Sequence, residues 1–260
     1  MRRPFMATLG IIGAGAIGTT LARQAIGAGL DVVLANSRGP ETLAATVAQL
    51  GPRARAATPE AAARAGDWVV VSIPLAAYRQ LPAAELAGKV VLDTSNYYAT
   101  RDGHLPALDS GDVTTSELVQ QHLAGAKLVK AFNNISDHHI PALARPAGAV
   151  DRTALPIAGD DPQAKAGAAE LISRLGFGTV DAGPLAESWR FEPETDAYTV
   201  PYAADPDAIR SAWAQFAEAL RSGTPPQLPA AGPGVPLPAA RLRTLLAGAS
   251  RKLTADRVIA

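Results

Sequence analysis

Gly13, Gly15 and Gly18 stand between a short apolar run, Thr8 to Ile12, and a segment in which Ile17, Leu21 and Ala25 recur every four residues. That pattern is a strand, a tight turn and an amphipathic helix, which Gly29 stops. The chemistry of such a turn is phosphate binding. The first glycine permits the turn, the second lets backbone approach a pyrophosphate, and the third lets the helix pack close on the strand. Amide N–H groups at the helix start, around Ala16 and Ile17, lack intrahelical partners, and the helix dipole there favours negative charge. A glycine-rich turn without a ligand is the plainer alternative.

The next strand, Asp31 to Ala35, ends in Asn36-Ser37-Arg38-Gly39. A site for NAD places a carboxylate about 20 positions after the glycines, on the ribose hydroxyls. None is present, because Asp31 lies at the wrong end of the strand. Arg38 can pair with a 2′-phosphate or stack on adenine, and Ser37 and the neighbouring amides can donate to the same phosphate. NADP is therefore expected over NAD, against the reading of Arg38 as a solvated turn residue.

Three further strand ends carry special residues. Ile73-Pro74-Leu75 can press an apolar wall on a nicotinamide ring, and Pro74 in any case ends the strand. Asn96 and the pair Asn133-Asn134 can bind ribose, carboxamide or a second ligand; equally, their side chains can close turns on their own backbone. Of the four histidines, His104 sits in a loop and His122 on a helix surface. His138 and His139 adjoin the crevice but diverge, so no metal is expected. No residue stands out as a general acid, as fits hydride transfer between two rings, where the cofactors supply the chemistry.

Positioning these residues requires alternating strands and helices. Arg53 to Ala57, Trp68 to Ile73, Lys89 to Asp93, Lys127 to Phe132, Leu155 to Ala158 and Thr179 to Ala182 read as further strands. Helices start at the caps Thr58, Thr114 and Asp161, with Glu117 completing a capping box. The expected fold is α/β: a doubly wound, mostly parallel sheet with helices on both faces and its ligand crevice at the strands' carboxyl ends. The division falls at residues 1–183 for the nucleotide-binding domain and 184–260 for a helical extension. The extension holds an aromatic loop, a helix with Ile209, Trp213, Phe216 and Leu220 on one face, a proline- and glycine-rich linker from Gly223 to Pro238, and a last helix presenting Leu242, Leu245, Leu246 and Leu253.

The 24 basic and 24 acidic residues cancel, which predicts binding to neither nucleic acid nor anionic membrane. The absence of cysteine excludes disulfides and thiolate chemistry and fits a cytoplasmic protein. Residues 1–6 read as a disordered leader too short for a signal peptide.

Gly13-Ala-Gly-Ala-Ile-Gly18, Asn36-Ser-Arg38, Ser72-Ile-Pro-Leu75, Leu128-Val-Lys-Ala-Phe-Asn-Asn-Ile135 and Val180-Asp-Ala-Gly-Pro-Leu185, in that order, resemble the F420-dependent NADP reductase family. The reductase domain of the STEAP metalloreductases is similar. The resemblance spans roughly residues 7–204, and the Lys-Ala-Phe-Asn and Asp-Ala-Gly-Pro-Leu segments discriminate most. It implies a Rossmann domain that binds NADPH and passes hydride to coenzyme F420, FMN or FAD. By position, Gly13, Gly15, Ala16 and Ile17 would hold the pyrophosphate, Ser37 and Arg38 the 2′-phosphate, and Pro74 and Leu75 the nicotinamide. Phe132, Asn133 and Asn134 would border the second ring. The chain departs from the family in having one basic residue in the Asn36–Pro40 turn and a tail after residue 205. An imine reductase of the pyrroline-5-carboxylate type and a non-catalytic NADPH sensor are the alternatives. Aromatic residues between 189 and 202 and the apolar last helix suggest a homodimer, unless the tail folds back on its own subunit.

Overall fold

A computed structural model of the protein describes residues 7–224 and 232–255. The expected leader and residues 225–231 of the expected linker lie outside the described residues. Eight strands form one sheet: β1 (Thr8–Ile12), β2 (Asp31–Ala35), β3 (Ala54–Ala56), β4 (Trp68–Val71), β5 (Val90–Asp93), β6 (Lys127–Lys130), β7 (Ala154–Gly159) and β8 (Gly178–Asp181). Their spatial order is β3-β2-β1-β4-β5-β6-β7-β8. The longer helices are α1 (Ala16–Gly27), α2 (Ala44–Leu50), α3 (Pro59–Ala65), α4 (Thr115–His122), α5 (Pro162–Arg174), α6 (Pro206–Ser222) and α7 (Ala239–Ala247).

The caps act as their residue types dictate. Thr58 accepts from the Ala61 amide at 3.3 Å, Asp161 accepts from the Ala164 amide at 2.9 Å, and Thr114 with Glu117 forms a reciprocal capping box. The central strands β1, β2, β4 and β5 are mostly apolar because both faces of the sheet are covered there. Successive side chains alternate between two cores: Val32 and Leu34 enter one, Val33 and Ala35 the other. The winding reverses between β1 and β4, and at that switch point the carboxyl ends of β1, β2, β4, β5 and β6 open a crevice. This is the Rossmann-type architecture.

The sheet departs from a wholly parallel arrangement at one place. β7 pairs antiparallel with β6, with Val129 opposite Gly159 and Lys130 opposite Ala158. The only helix in the intervening segment is the short His139–Leu143, so the chain turns back instead of crossing a sheet face. β7 and β8, parallel to each other, therefore point their carboxyl ends away from the crevice.

The segment after residue 183 shares the core of the sheet. Phe191 and Tyr202 are fully buried, and Tyr198 nearly so. α7 packs on β7 and β8 through Leu242 and Leu246, each buried leucine contributing about 1.5–3 kcal/mol. The last helix thus covers its own sheet, and of the aromatic residues between 189 and 202, Phe191, Tyr198 and Tyr202 are interior while Trp189 is half-exposed. The last helix also ends at Ala247, so Leu253 lies beyond it and is exposed, contrary to the sequence expectation. His122 is half-buried rather than on the surface, with Nε2 3.0 Å from the Leu81 carbonyl and its ring edge-on to Tyr78. Among the described residues no helix is long and apolar enough to cross a membrane.

Candidate functional site

The glycine turn meets the first cleft, of about 620 Å³, which also takes in Asn36, Ser37 and Arg38. Gly13 has φ +118°, and a Cβ there would lie 2.0 Å from the Ser72 carbonyl oxygen. At Gly18 a Cβ would lie 1.9 Å from the Gly13 carbonyl oxygen, so its part is to bring α1 onto the turn. Gly15 is different, since a Cβ there would meet nothing within 4 Å. Its backbone faces the open cleft, the room a pyrophosphate needs. The first amide of the α1 ladder is Thr19, donating to Gly15 at 2.9 Å, so the amides of Ala16, Ile17 and Gly18 precede the ladder.

In the β2 turn, Asn36 Oδ1 accepts from the Arg38 amide at 3.0 Å, and Asn36 Nδ2 donates to Thr42 Oγ1 at 2.9 Å. Asn36 closes the turn on its own backbone, the plainer of the two sequence expectations for such residues. Ser37 and Arg38 are exposed at the rim, and Arg38 makes no ion pair among the described residues. Glu60 lines the same cleft, its carboxyl held below the usual range by the hydrogen bond with the Thr58 side chain.

A second cleft of about 390 Å³ shares Ser72, Ile73 and Pro74 with the first. It is also lined by Asn96, Tyr98, Asn133, Tyr198, Ile209 and Trp213. Asn96 and Asn133 clasp each other across the ends of β5 and β6. Asn96 Nδ2 donates to the Asn133 carbonyl at 2.8 Å, and Asn133 Nδ2 donates to Asn96 Oδ1 at 3.1 Å and to the Phe191 carbonyl at 2.8 Å. Asn133 Oδ1, Ser95 Oγ and Thr199 Oγ1 are buried without a hydrogen-bond partner among the described residues. All three residues line this cleft. Backbone strain collects here too: Phe132 (φ 59°) and Thr199 (φ 45°) occupy the left-handed region, which is unusual for a bulky and a β-branched residue.

Sequence reasoning missed the two tyrosines. The Tyr98 and Tyr198 hydroxyls share a hydrogen bond, and Asn96 Nδ2 donates to Tyr198 at 3.1 Å. Burial pushes both phenols above their usual range, Tyr198 the further. Arg101 stacks on the Tyr98 ring at 4.8 Å and donates to the Asn96 carbonyl at 2.8 Å. Tyr98 was legible as a residue just past β5. Tyr198 arrives from 100 positions later in an irregular segment and carries no sequence signal.

Three expected site residues sit elsewhere. Leu75 is fully buried in one of the two cores and lines neither cleft, because the chain turns at Pro74 and sends the next side chain inward. Asn134 is fully buried behind the site, donating to the Ala197 carbonyl and the Tyr202 hydroxyl, both at 2.9 Å; it anchors the tail. The Phe132 ring packs edge-on against Phe177 in the core, 5.9 Å between centroids, although the residue borders the cleft. Lys130 of the Lys-Ala-Phe-Asn segment is also buried, donating to the Ser95 carbonyl at 2.9 Å. The Val180–Leu185 segment lies at the opposite end of the sheet, where Asp181 pairs with Lys165 at 2.8 Å. His138 lines the second cleft, whereas the buried His139 turns away toward the Gly232 carbonyl, 3.2 Å from Nε2.

Comparison with known proteins agrees with this geometry. Residues 8–97 match the family described as NADP oxidoreductase, coenzyme F420-dependent. The chain is 32% identical over 188 residues to the metalloreductase STEAP3 of Rattus norvegicus, a match that covers 71% of this chain and 35% of the relative, so it spans about a third of that protein's length. Among solved structures it resembles the hypothetical protein SMa0349 of Sinorhizobium meliloti, with 34% identity and TM-score 0.60 over 70% of this chain and 88% of the other. It also resembles a candidate F420-dependent NADP reductase from Arthrobacter sp. FB24, with 25% identity and TM-score 0.59 over 70% and 87%. Residues 8–97 thus match the nucleotide-binding domain of F420-dependent NADP oxidoreductases, and over about 70% of its length the chain is similar to proteins of that kind.

Proposed function

We propose that the protein is an NADPH-dependent reductase whose second cleft takes a planar deazaflavin or flavin: coenzyme F420, FMN or FAD. The observation that carries this reading is the junction of the two clefts at Ser72, Ile73 and Pro74. A dinucleotide with its phosphates at Gly15 would bring its far end to that junction. The second cleft then supplies what a ring acceptor requires, an apolar wall from Ile73, Pro74, Ile209 and Trp213 facing the polar Asn96–Asn133 clasp. Its volume falls within the range of small-ligand pockets.

In this reading the amides of Gly15, Ala16 and Ile17 hold the pyrophosphate, with Gly13 and Gly18 shaping the turn. Ser37 and Arg38 hold the 2′-phosphate, and Asn36 keeps their turn closed. Ile73 and Pro74 wall the nicotinamide, while Asn96 and Asn133 border the acceptor. NADPH, when bound, supplies the hydride. We place the activity in the cytoplasm.

Neither alternative has a specific observation in its favour. A sensor needs no second cleft. The test is oxidation of NADPH followed at its nicotinamide absorbance with F420, FMN and FAD in turn. Oxidation by at least one is expected, and no oxidation by any of the three sinks the reading.

A further inference from the structure

The Tyr98–Tyr198 pair has one proton more than it can use. Two hydroxyls carry two protons, and their mutual hydrogen bond consumes one. The Asn96 amide occupies a lone pair on Tyr198 as a donor, so it takes up neither proton. Among the described residues no other acceptor for either hydroxyl is present. Whichever way the mutual bond runs, one O–H is left over, and both residues line the second cleft. A buried donor without a protein acceptor is destabilising, and a ligand acceptor in the cleft would recover that loss.

The pair is also held in place. Asn96 is itself fixed by Asn133, Arg101 closes over the Tyr98 ring, and the strained Thr199 backbone is tied by its amide to the Asn134 carbonyl at 3.0 Å. The charged and titratable groups facing the pair are Arg101 and Asp102 beside Tyr98, and Asp137 and His138 across the cleft; α6 contributes only Ile209 and Trp213. Burial keeps both phenols protonated at neutral pH, and the Arg101 guanidinium favours the phenolate that forms when a proton leaves.

We propose that Tyr98 and Tyr198 form a catalytic acid that hands its surplus hydroxyl proton to a ring nitrogen of the acceptor as hydride enters the other end of the acceptor's conjugated C=N system. This rests on the reading of the second cleft as the acceptor site. In balance, the acceptor gains a hydride from the dihydronicotinamide and a proton from the pair. The displaced π pair becomes the new N–H bond, the nicotinamide is left oxidised, and the phenolate recovers its proton from water. No acid is readable from the sequence at this place, so the pair adds a step that simple ring-to-ring hydride transfer lacks.

The experiment is single-turnover oxidation of NADPH by FMN and by F420 in H2O and D2O, with the double variant Tyr98→Phe/Tyr198→Phe. General acids contribute 10²–10⁴-fold, so a slowing of about 100-fold or more is expected, with NADPH affinity unchanged. The wild-type rate should fall in D2O and the variant should lose that sensitivity, which a merely structural role would not produce. A second readout needs no turnover: in wild-type protein carrying 13Cζ-tyrosine, adding oxidised FMN with NADP+ should shift the Tyr98 and Tyr198 signals, assigned with the single variants, and leave Tyr78 in place. Should the double variant not fold, Tyr198→Phe alone and the tyrosine signals decide. A rate within threefold of wild type with unchanged D2O sensitivity, or unmoved tyrosine signals on FMN binding, overturns the proposal but not the acceptor site. No oxidation by any acceptor in the wild type overturns both.

Discussion

Lys130 Nζ lies 3.3 Å from Glu192 Oε1, which joins the end of β6 to the segment that follows the last strand. The lysine side chain is wholly out of water, and Asp93, also buried, stands 4.0 Å away. Ser116 bridges them, donating to Asp93 at 2.6 Å and accepting from Lys130 at 3.2 Å. One cation thus serves two carboxylates, directly behind the Ser95 and Asn133 strand ends of the second cleft. Removing it leaves two buried charges without a counterion, at a cost of about 3–5 kcal/mol. Lys130→Met is expected to lower the unfolding free energy by that amount, read as a fall in the urea midpoint at unchanged slope. A midpoint equal to wild type would mean the network contributes no stability.

The glycines of the turn should separate fold from binding. Gly13→Ala forces a side chain into the left-handed region and into the Ser72 carbonyl, so the melting temperature should fall by several degrees. Gly15→Ala meets no protein atom, so the melting temperature should hold while NADPH affinity drops about tenfold or more, or 1.4 kcal/mol. Calorimetry of unfolding and of NADPH binding, run on both variants, checks the contrast. Unimpaired binding by Gly15→Ala would remove this turn from the phosphate site.

Arg38→Ala should cost NADPH about 10- to 150-fold in affinity, the equivalent of the ~1.5–3 kcal/mol of a charge-assisted contact. NADH should change little. Equal losses for both nucleotides would instead show that the guanidinium stacks on adenine. Titrations of each nucleotide by intrinsic fluorescence give the ratio.

His139 makes stability depend on pH. Burial, and then the neighbouring His138, hold its imidazole below the ordinary 6.5. The unfolded chain therefore binds a proton near pH 6.5 that the folded protein declines. Stability from this group is complete above that pH and is lost as pH falls below it. Urea midpoints should drop from pH 7 to pH 5, and His139→Gln should show a shallower drop. An identical drop in the variant would assign it to other groups.

Local pattern determined a great deal. The glycine spacing, the apolar runs and the caps Thr58, Thr114 and Asp161 act within a few residues of themselves, so strands, helices and the Rossmann winding were readable in order along the chain. The missing acid after β2 and the presence of Arg38 were equally local. Tertiary structure decided what depends on where the chain returns. Leu75 and Asn134 adjoin Pro74 and Asn133, yet each turns into the interior, because a bend at a strand end sends neighbouring side chains to opposite sides. β7 reversed because the segment before it was too short of helix to cross the sheet. Tyr198 reached Tyr98 only because Asn133, Asn134 and Lys130 hold the tail against the sheet through Phe191, Ala197 and Glu192. No periodicity encodes such a meeting. It follows from buried polar groups finding partners far along the chain, which only the folded molecule specifies.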